Sequence, residues 1–308
     1  MTATDPAPGD PASLPSSPAS LPLLPSLPAS LPPLPTLGAV SRRPPPGGAR
    51  REWQDAVLVS AGWQTPRART LLLELPPGTP AHVPGQHYVV RVARDDGSWA
   101  QRSYSVASAP ERPVPTAPAQ AGPALSGPQA GRGRRLELAV ERLDDGELSP
   151  YLHEVSVGST LQVRGPFGGW FIWRGDTPAL LVGGGSGVVP LMSMQRWWRA
   201  TGGRQPLRLV VSVRTPGDLW YREELGAETT VVYTRSAGQD SAGQAAAWQD
   251  ARGRPPGRLD AGVLSAVLIP GATCYVCGSA GFAEHASRLL VELGVPATDV
   301  RVERFGPS

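Results

Sequence analysis

Pro178-Ala179-Leu180-Leu181-Val182-Gly183-Gly184-Gly185-Ser186-Gly187-Val188-Val189-Pro190 is the stretch that decides the fold. Its apolar run reads as a strand buried on both faces, and the amphipathic pattern that follows reads as a helix through Trp198. Between them, the glycines leave backbone N–H groups and the helix N-terminus open to a phosphate. The spacing is neither a P-loop, which needs Gly-Lys-Ser/Thr, nor the usual dinucleotide fingerprint, because Val188 stands at the third glycine position. A tight structural turn is the alternative reading of the same residues.

The strand–helix alternation continues downstream. Leu207–Val213 precedes an expected helix over 218–225, and Thr230–Tyr233 precedes, after a loop, an expected helix over 260–268. Thr273–Cys277 precedes an expected helix over 280–293, and Val300–Phe305 supplies a last strand. Repeated β–α units imply a parallel sheet covered by helices, with ligands at the carboxyl ends of its strands.

Upstream the texture differs. Short alternating runs at 56–59, 70–75, 88–92, 103–106, 136–140 and 161–163 are separated by turn-rich pieces such as Pro76-Pro77-Gly78 and Pro84-Gly85. Six such strands predict a small antiparallel Greek-key barrel, with one short helix over 149–155. The Pro-, Ala-, Gly- and Arg-rich segment at 109–134 has no periodicity and reads as a disordered insertion between barrel strands. Residues 1–50 repeat Pro-Ala-Ser-Leu-Pro at Pro11, Pro18 and Pro28 and read as a disordered tail. The expected division is a tail over 1–50, a barrel over 51–167 and a Rossmann-like α/β domain over 168–308.

Composition narrows the function. All 29 Lys+Arg residues are arginine, and neither Lys nor Asn occurs, a bias typical of a GC-rich genome. The net charge of +3, with acids interspersed, lacks the clustered basic face of a nucleic-acid binder. Two cysteines are too few for a disulfide framework, a four-thiolate zinc site or a cysteine-ligated iron–sulfur cluster. No apolar run approaches 18 residues, and prolines interrupt the leader, so a cytoplasmic, monomeric protein is expected, with no membrane partner. His82, His87, His153 and His285 lack ligand spacing and read as structural or exposed, and no metal site is expected.

Arg102-Ser103-Tyr104-Ser105-Val106-Ala107-Ser108 in the barrel half carries a cation, a flat aromatic and hydroxyls on one strand. Strand alternation directs Arg102, Tyr104 and Val106 to one face and Ser103, Ser105 and Ala107 to the other. Here the sequence resembles the ferredoxin–NADP⁺ reductase superfamily, whose flavin motif Arg-x-Tyr-Ser-x-x-Ser/Thr is met at Arg102, Tyr104, Ser105 and Ser108. The family's Gly-x-x-Ser motif is met by Gly146 to Ser149, and its nucleotide loop by Gly183, Gly184, Gly185, Ser186, Gly187 and Pro190. Cys277-Gly278-Ser279, followed by Phe282, resembles its nicotinamide-side motif, and Glu303-Arg304-Phe305 its terminal acid-plus-aromatic segment. The resemblance spans residues 53–308.

The resemblance implies that Arg102 neutralises flavin phosphate, Tyr104 packs on the isoalloxazine, Ser105 bonds near its N5, and Ser149 caps its phosphate. Cys277 would face the nicotinamide, with Ser105, Cys277 and Glu303 as the catalytic set. Hydride transfer needs orientation rather than a protein nucleophile. Cys274 and Cys277, three apart on a strand, face opposite sides of the sheet and are not a redox pair. Arg214 and Arg235, after the second and third α/β strands, favour NADPH over NADH by gripping a 2′-phosphate, with a solvated rim as the plainer alternative. FAD is expected over FMN, although 109–134 holds no aromatic where the family often places an adenine-stacking one.

The implied function is a flavin-dependent NAD(P)H oxidoreductase that passes electrons to a separate acceptor: a ferredoxin, a haem or oxygenase partner, or free flavin and dioxygen. The alternatives are a regulatory or electron-transfer subunit docking through Phe282, Trp170, Trp173 or the tail, and a nucleotide-binding protein without flavin.

Overall fold

The computed structural model describes residues 52–111, 133–235 and 255–306. The expected tail at 1–50 and most of the expected insertion, 112–132, lie outside them. No helix among the described residues is long and apolar enough to cross a membrane.

Six antiparallel strands form the first sheet: β1 (Gln54–Thr65), β2 (Ala68–Leu75), β3 (His87–Ala93), β4 (Trp99–Ser105), β5 (Arg134–Glu141) and β6 (Thr160–Phe167). Their order is β4-β3-β6-β1-β2-β5. The two end strands meet through a bridge between Val106 and Leu138 and a bond from Ala107 N–H to the Glu137 carbonyl, which closes the barrel. Period-two burial drives the assembly: Leu71, Leu73 and Leu75 point inward while Thr70, Leu72 and Glu74 are half-buried. Leu58, Tyr88, Val90, Leu136, Leu138, Leu161 and Val163 complete the core, and the short helix α1 (Leu148–Glu154) plugs one end with Leu152. Arg134, the last residue of the expected insertion, starts β5. Glu111 pins that start by accepting from Arg135 N–H at 2.9 Å.

The second sheet is wholly parallel, in the order β11-β10-β7-β8-β9. Its elements are β7 (Ala179–Gly184), α2 (Val188–Ala200), β8 (Leu207–Val213), β9 (Thr229–Tyr233), α3 (Ala261–Val267), β10 (Thr273–Ser279), α4 (Ala280–Glu292) and β11 (Val300–Phe305). On one face Leu180, Val182, Cys274 and Val276 pack under α3 and α4. On the other, Leu181, Leu209, Val211, Tyr275 and Cys277 pack under α2. The same cluster takes in Ala68, Ala107 and Ala139 of the barrel, so α2 is wedged between the two halves.

The helix expected over 218–225 does not form. Two 3-10 turns, Pro216–Asp218 and Arg222–Glu224, stand there instead, and Tyr221 between them adopts φ 55°. Leu219, Trp220 and Tyr221 are all buried, and three consecutive large side chains cannot share one face of a helix.

The chain runs from β7 outward to β8 and β9, then returns to the other side of β7 with β10. That reversal places the crevice between the carboxyl ends of β7 and β10.

Candidate functional site

The Gly-rich loop sits at this crevice. Gly185 adopts φ 55°, and a Cβ there would meet nothing within 4 Å, so bare backbone faces open space. Gly187, in contrast, is buried against the Cys277 carbonyl, which any Cβ would strike. Val188 fills the third glycine position without difficulty because its side chain turns into the core. Gly187 caps α2 with no side-chain acceptor, and the 3-10 turn Gly185–Gly187 runs straight into the helix, Val188 N–H donating to the Gly185 and Ser186 carbonyls. Pro190 lies within that first turn, where its missing N–H costs no helical bond.

Phe282 lies across the strand ends. A Cβ at Gly184 would come within 2.6 Å of its ring, and one at Gly278 within 2.7 Å, so both glycines admit the aromatic. Ser279 caps α4 by accepting from Phe282 N–H at 3.4 Å.

Cys277 and Glu303 are register neighbours on β10 and β11, and Ser279 is paired likewise with Phe305. Burial, reinforced by the Glu303 charge, pushes the Cys277 thiol well up, so it stays protonated. Burial also pushes the Glu303 carboxyl up to about 7. Its Oε2 is buried with no hydrogen-bond partner among the described residues. The pair sets a fully buried neutral thiol beside a largely buried carboxyl near the carboxyl ends of β10 and β11. Cys274 packs in the opposite cluster, as strand alternation requires, and burial pushes its thiol up to about 12.

Arg214 and Arg235 come together at the ends of β8 and β9: Arg235 N–H donates to the Arg214 carbonyl at 3.0 Å. Arg214 is exposed and Nη2 reaches Asp218 Oδ1 at 2.7 Å. Hydrogen bonds from Thr215, with the charge and bond of Arg214, hold the Asp218 carboxyl below its usual range against the opposing effect of burial.

On the barrel, Arg102 is exposed and has no carboxylate partner among the described residues; its Nη1 reaches only the Gln101 carbonyl, at 2.9 Å. Tyr104 packs on the barrel core beside Val106, while Ala107 joins the cluster under α2, which confirms the alternation read from the sequence. Ser105 is buried opposite His87, whose ring lies 6.0 Å from that of Phe167.

Two expected flavin contacts are occupied within the chain. Ser149 Oγ accepts from Leu143 N–H at 3.0 Å and donates to the Leu143 carbonyl at 3.4 Å, while the N-cap residue of α1 is Glu147. Gly146 is needed beside it, because a Cβ there would lie 3.0 Å from Ser149 Oγ. Ser108 joins the two halves: its Oγ accepts from Glu137 N–H, and its carbonyl accepts from Ser193 Oγ at 2.7 Å. The same carbonyl bonds His82 Nε2 at 2.9 Å.

His82 is one of three histidines that bond backbone carbonyls, with His153 on Val140 and His285 on Leu259. Trp173, a docking candidate in the sequence, is buried and donates to the Thr177 carbonyl, whereas Trp170 is exposed. Sequence reasoning missed Arg196, Glu137, Glu224 and Ser193, whose contacts join residues from 28 to 89 positions apart.

The residues present suit a flavin and a nicotinamide nucleotide: open backbone at Gly185, an α2 whose N-cap has no side-chain acceptor, a cation at Arg102 with no carboxylate partner among the described residues, and the buried Glu303 Oε2.

Residues 181–288 match the family model described as Oxidoreductase NAD-binding domain. The chain is 30% identical over 262 residues to ferredoxin–NADP reductase B of Sorangium cellulosum, covering 82% of this chain and 97% of that one. It is 37% identical over 146 residues to the glycine betaine monooxygenase reductase subunit of Chromohalobacter salexigens, covering 46% of this chain and 33% of that one. It thus spans about a third of the latter protein's length. The fold is shared with the flavohem-like FAD/NAD-binding domain of nitric oxide dioxygenase from Vibrio cholerae. That likeness has a TM-score of 0.64 at 19% identity and covers 82% of this chain and 99% of that one.

Proposed function

This chain belongs to the ferredoxin–NADP⁺ reductase superfamily, and from that premise we propose that it is an FAD-dependent NAD(P)H reductase serving a separate electron acceptor. One observation carries the reading. The helix that opens on the Gly-rich loop is hydrogen-bonded, through Ser193 and Arg196, to the segment immediately after Tyr104-Ser105.

A bound flavin supplies the conversion between two-electron and one-electron transfer. The chain's own residues bind and orient. Arg102 holds phosphate by charge, Tyr104 offers an aromatic face, and Ser105 offers a hydroxyl beside it. Gly183 to Gly187 and the α2 N-terminus hold the nucleotide pyrophosphate. Glu303 holds or releases a proton beside the buried Cys277 thiol. The barrel, over about 51–167, is the flavin domain, and 168–308 the nucleotide domain. NADPH is favoured over NADH by the pairing of Arg214 with Arg235, and FAD over FMN by the likeness to an FAD/NAD-binding domain. The acceptor is a ferredoxin or an oxygenase component, the class named by reductases similar to this chain.

The test is an absorption spectrum of the purified protein followed by anaerobic addition of NADPH or NADH. A flavin band that bleaches supports the assignment. A protein that stays colourless after incubation with FAD and FMN overturns it.

A further inference from the structure

Arg196 lies three residues after Ser193 on α2, so both side chains leave the same face of the helix, toward the barrel. Its guanidinium makes contact on every edge. Nε and Nη2 fork onto Glu224 at 2.7 and 2.5 Å, and Nη1 reaches both Glu137 Oε2 and the Ala107 carbonyl at 3.0 Å. Its Cζ lies 4.9 Å from the centroid of the Tyr221 ring. One side chain thus ties β5 of the barrel, the segment leaving β4, and the irregular segment after β8. Tyr221 is itself anchored to the barrel, its N–H donating to Gln64 Oε1 at 2.8 Å.

Under α2 the apolar side of this junction is built from small side chains. The barrel contributes Ala68, Ala107 and Ala139, whose methyl groups resist sliding weakly. Directional restraint at α2 comes from the planar Arg196 fork and from Ser193, while Tyr221 N–H on Gln64 and Trp173 N–H on the Pro84 carbonyl, at 3.2 Å, act elsewhere along the junction. The cluster is a poor source of stability, because burial pushes the Glu137 carboxyl up against the opposing charge of Arg196. What it supplies is geometry.

We propose that Arg196, assisted by Ser193, is a positioning residue for hydride transfer. It locks the strand bearing Tyr104 and Ser105 to the helix bearing the nucleotide loop, and so sets the approach of nicotinamide to flavin. Val188 and Arg196 stand eight residues apart on one rigid rod, about 12 Å at 1.5 Å per residue, so movement at the clamp is transmitted to the loop. A misplacement of about 1 Å at the reacting atoms can cost about 10²-fold in rate. The proposal rests on the reductase reading above.

The test is anaerobic stopped-flow bleaching of the flavin-loaded protein across a range of NADPH concentrations, for the parent, Arg196→Met, Arg196→Lys and Ser193→Ala. Arg196→Met lowers the limiting bleaching rate at least about tenfold, while flavin content and the nucleotide dissociation constant stay within about twofold. Arg196→Lys recovers little of the rate, because an ammonium cannot span Glu224, Glu137 and the Ala107 carbonyl together. Ser193→Ala, which removes one hydrogen bond and keeps the fold, gives a fall of about threefold. Amide exchange, read without nucleotide, rises at Ala107 and Ser108 in Arg196→Met and stays unchanged in β1 and β2.

A bleaching parent with unchanged rates in Arg196→Met and Ser193→Ala overturns the positioning role alone. So does loss of flavin in step with the rate, which marks a structural role. A parent that is not bleached overturns this proposal together with the reductase reading.

Discussion

Glu303 stands beside Cys277 in parallel register, its carboxyl pushed up to about 7 by burial and its Oε2 without a hydrogen-bond partner among the described residues. An acid whose folded pKa exceeds its unfolded value binds more protons in the folded state. Its ionisation therefore lowers stability as pH rises from about 4.5 to about 7. Glu303→Gln should raise the thermal midpoint by several degrees at pH 8 and leave it nearly unchanged at pH 4.5. Thermal melts of both proteins at the two pH values check this. An equal shift at both would mean that the carboxyl is not the source.

His82 gives the opposite slope. Burial lowers its pKa from 6.5 to about 4, so the unfolded chain takes up the proton first. Stability is lost as pH falls between those values, by up to about 3 kcal/mol. Over about 4.5 to 6.5 the two groups offset each other, so Glu303→Gln should unmask an acid-side fall that the parent conceals. Urea unfolding at pH 5 and 6.5 measures it; a Glu303→Gln protein equally stable at both would contradict the assignment to His82.

Arg214 and Arg235 share a backbone hydrogen bond and present two guanidinium groups at adjacent strand ends. A charge-assisted contact to a 2′-phosphate contributes about 1.5–3 kcal/mol, or roughly 10- to 100-fold in affinity. Arg235→Ala should raise the KM for NADPH by that factor and leave the KM for NADH unchanged. Arg214→Ala should act in the same direction but less, because Asp218 already engages that guanidinium. Equal effects on both nucleotides would reduce the arginines to a solvated rim.

Gly185 and Gly187 separate binding from folding. Gly185→Ala meets open space, and its φ of 55° costs about 1–2 kcal/mol, so it should weaken nucleotide binding while the protein still folds. Gly187→Ala drives a methyl into the Cys277 carbonyl and should lower stability by about 1–3 kcal/mol or more. Nucleotide titration and thermal melts of the two variants, read together, distinguish the roles.

The sequence by itself determined the architecture. Alternation at Leu71, Leu73 and Leu75 and the apolar run before Gly183 are local patterns, and side-chain periodicity converts them into a two-sided barrel strand and a doubly buried parallel strand. The opposite facing of Cys274 and Cys277 followed from the same period. Tertiary structure alone decided how the two halves join. Ser108 reads as a motif residue, yet its carbonyl accepts from Ser193, 85 positions away, and Arg196 reaches Ala107 across 89. The helix expected after Asp218 gave way because Leu219, Trp220 and Tyr221 all had to be buried against surfaces that other segments supply. Periodicity and turn chemistry act over a few residues. The direction of packing between distant elements, and hence which polar groups meet at their junction, is settled only when the cores close on each other.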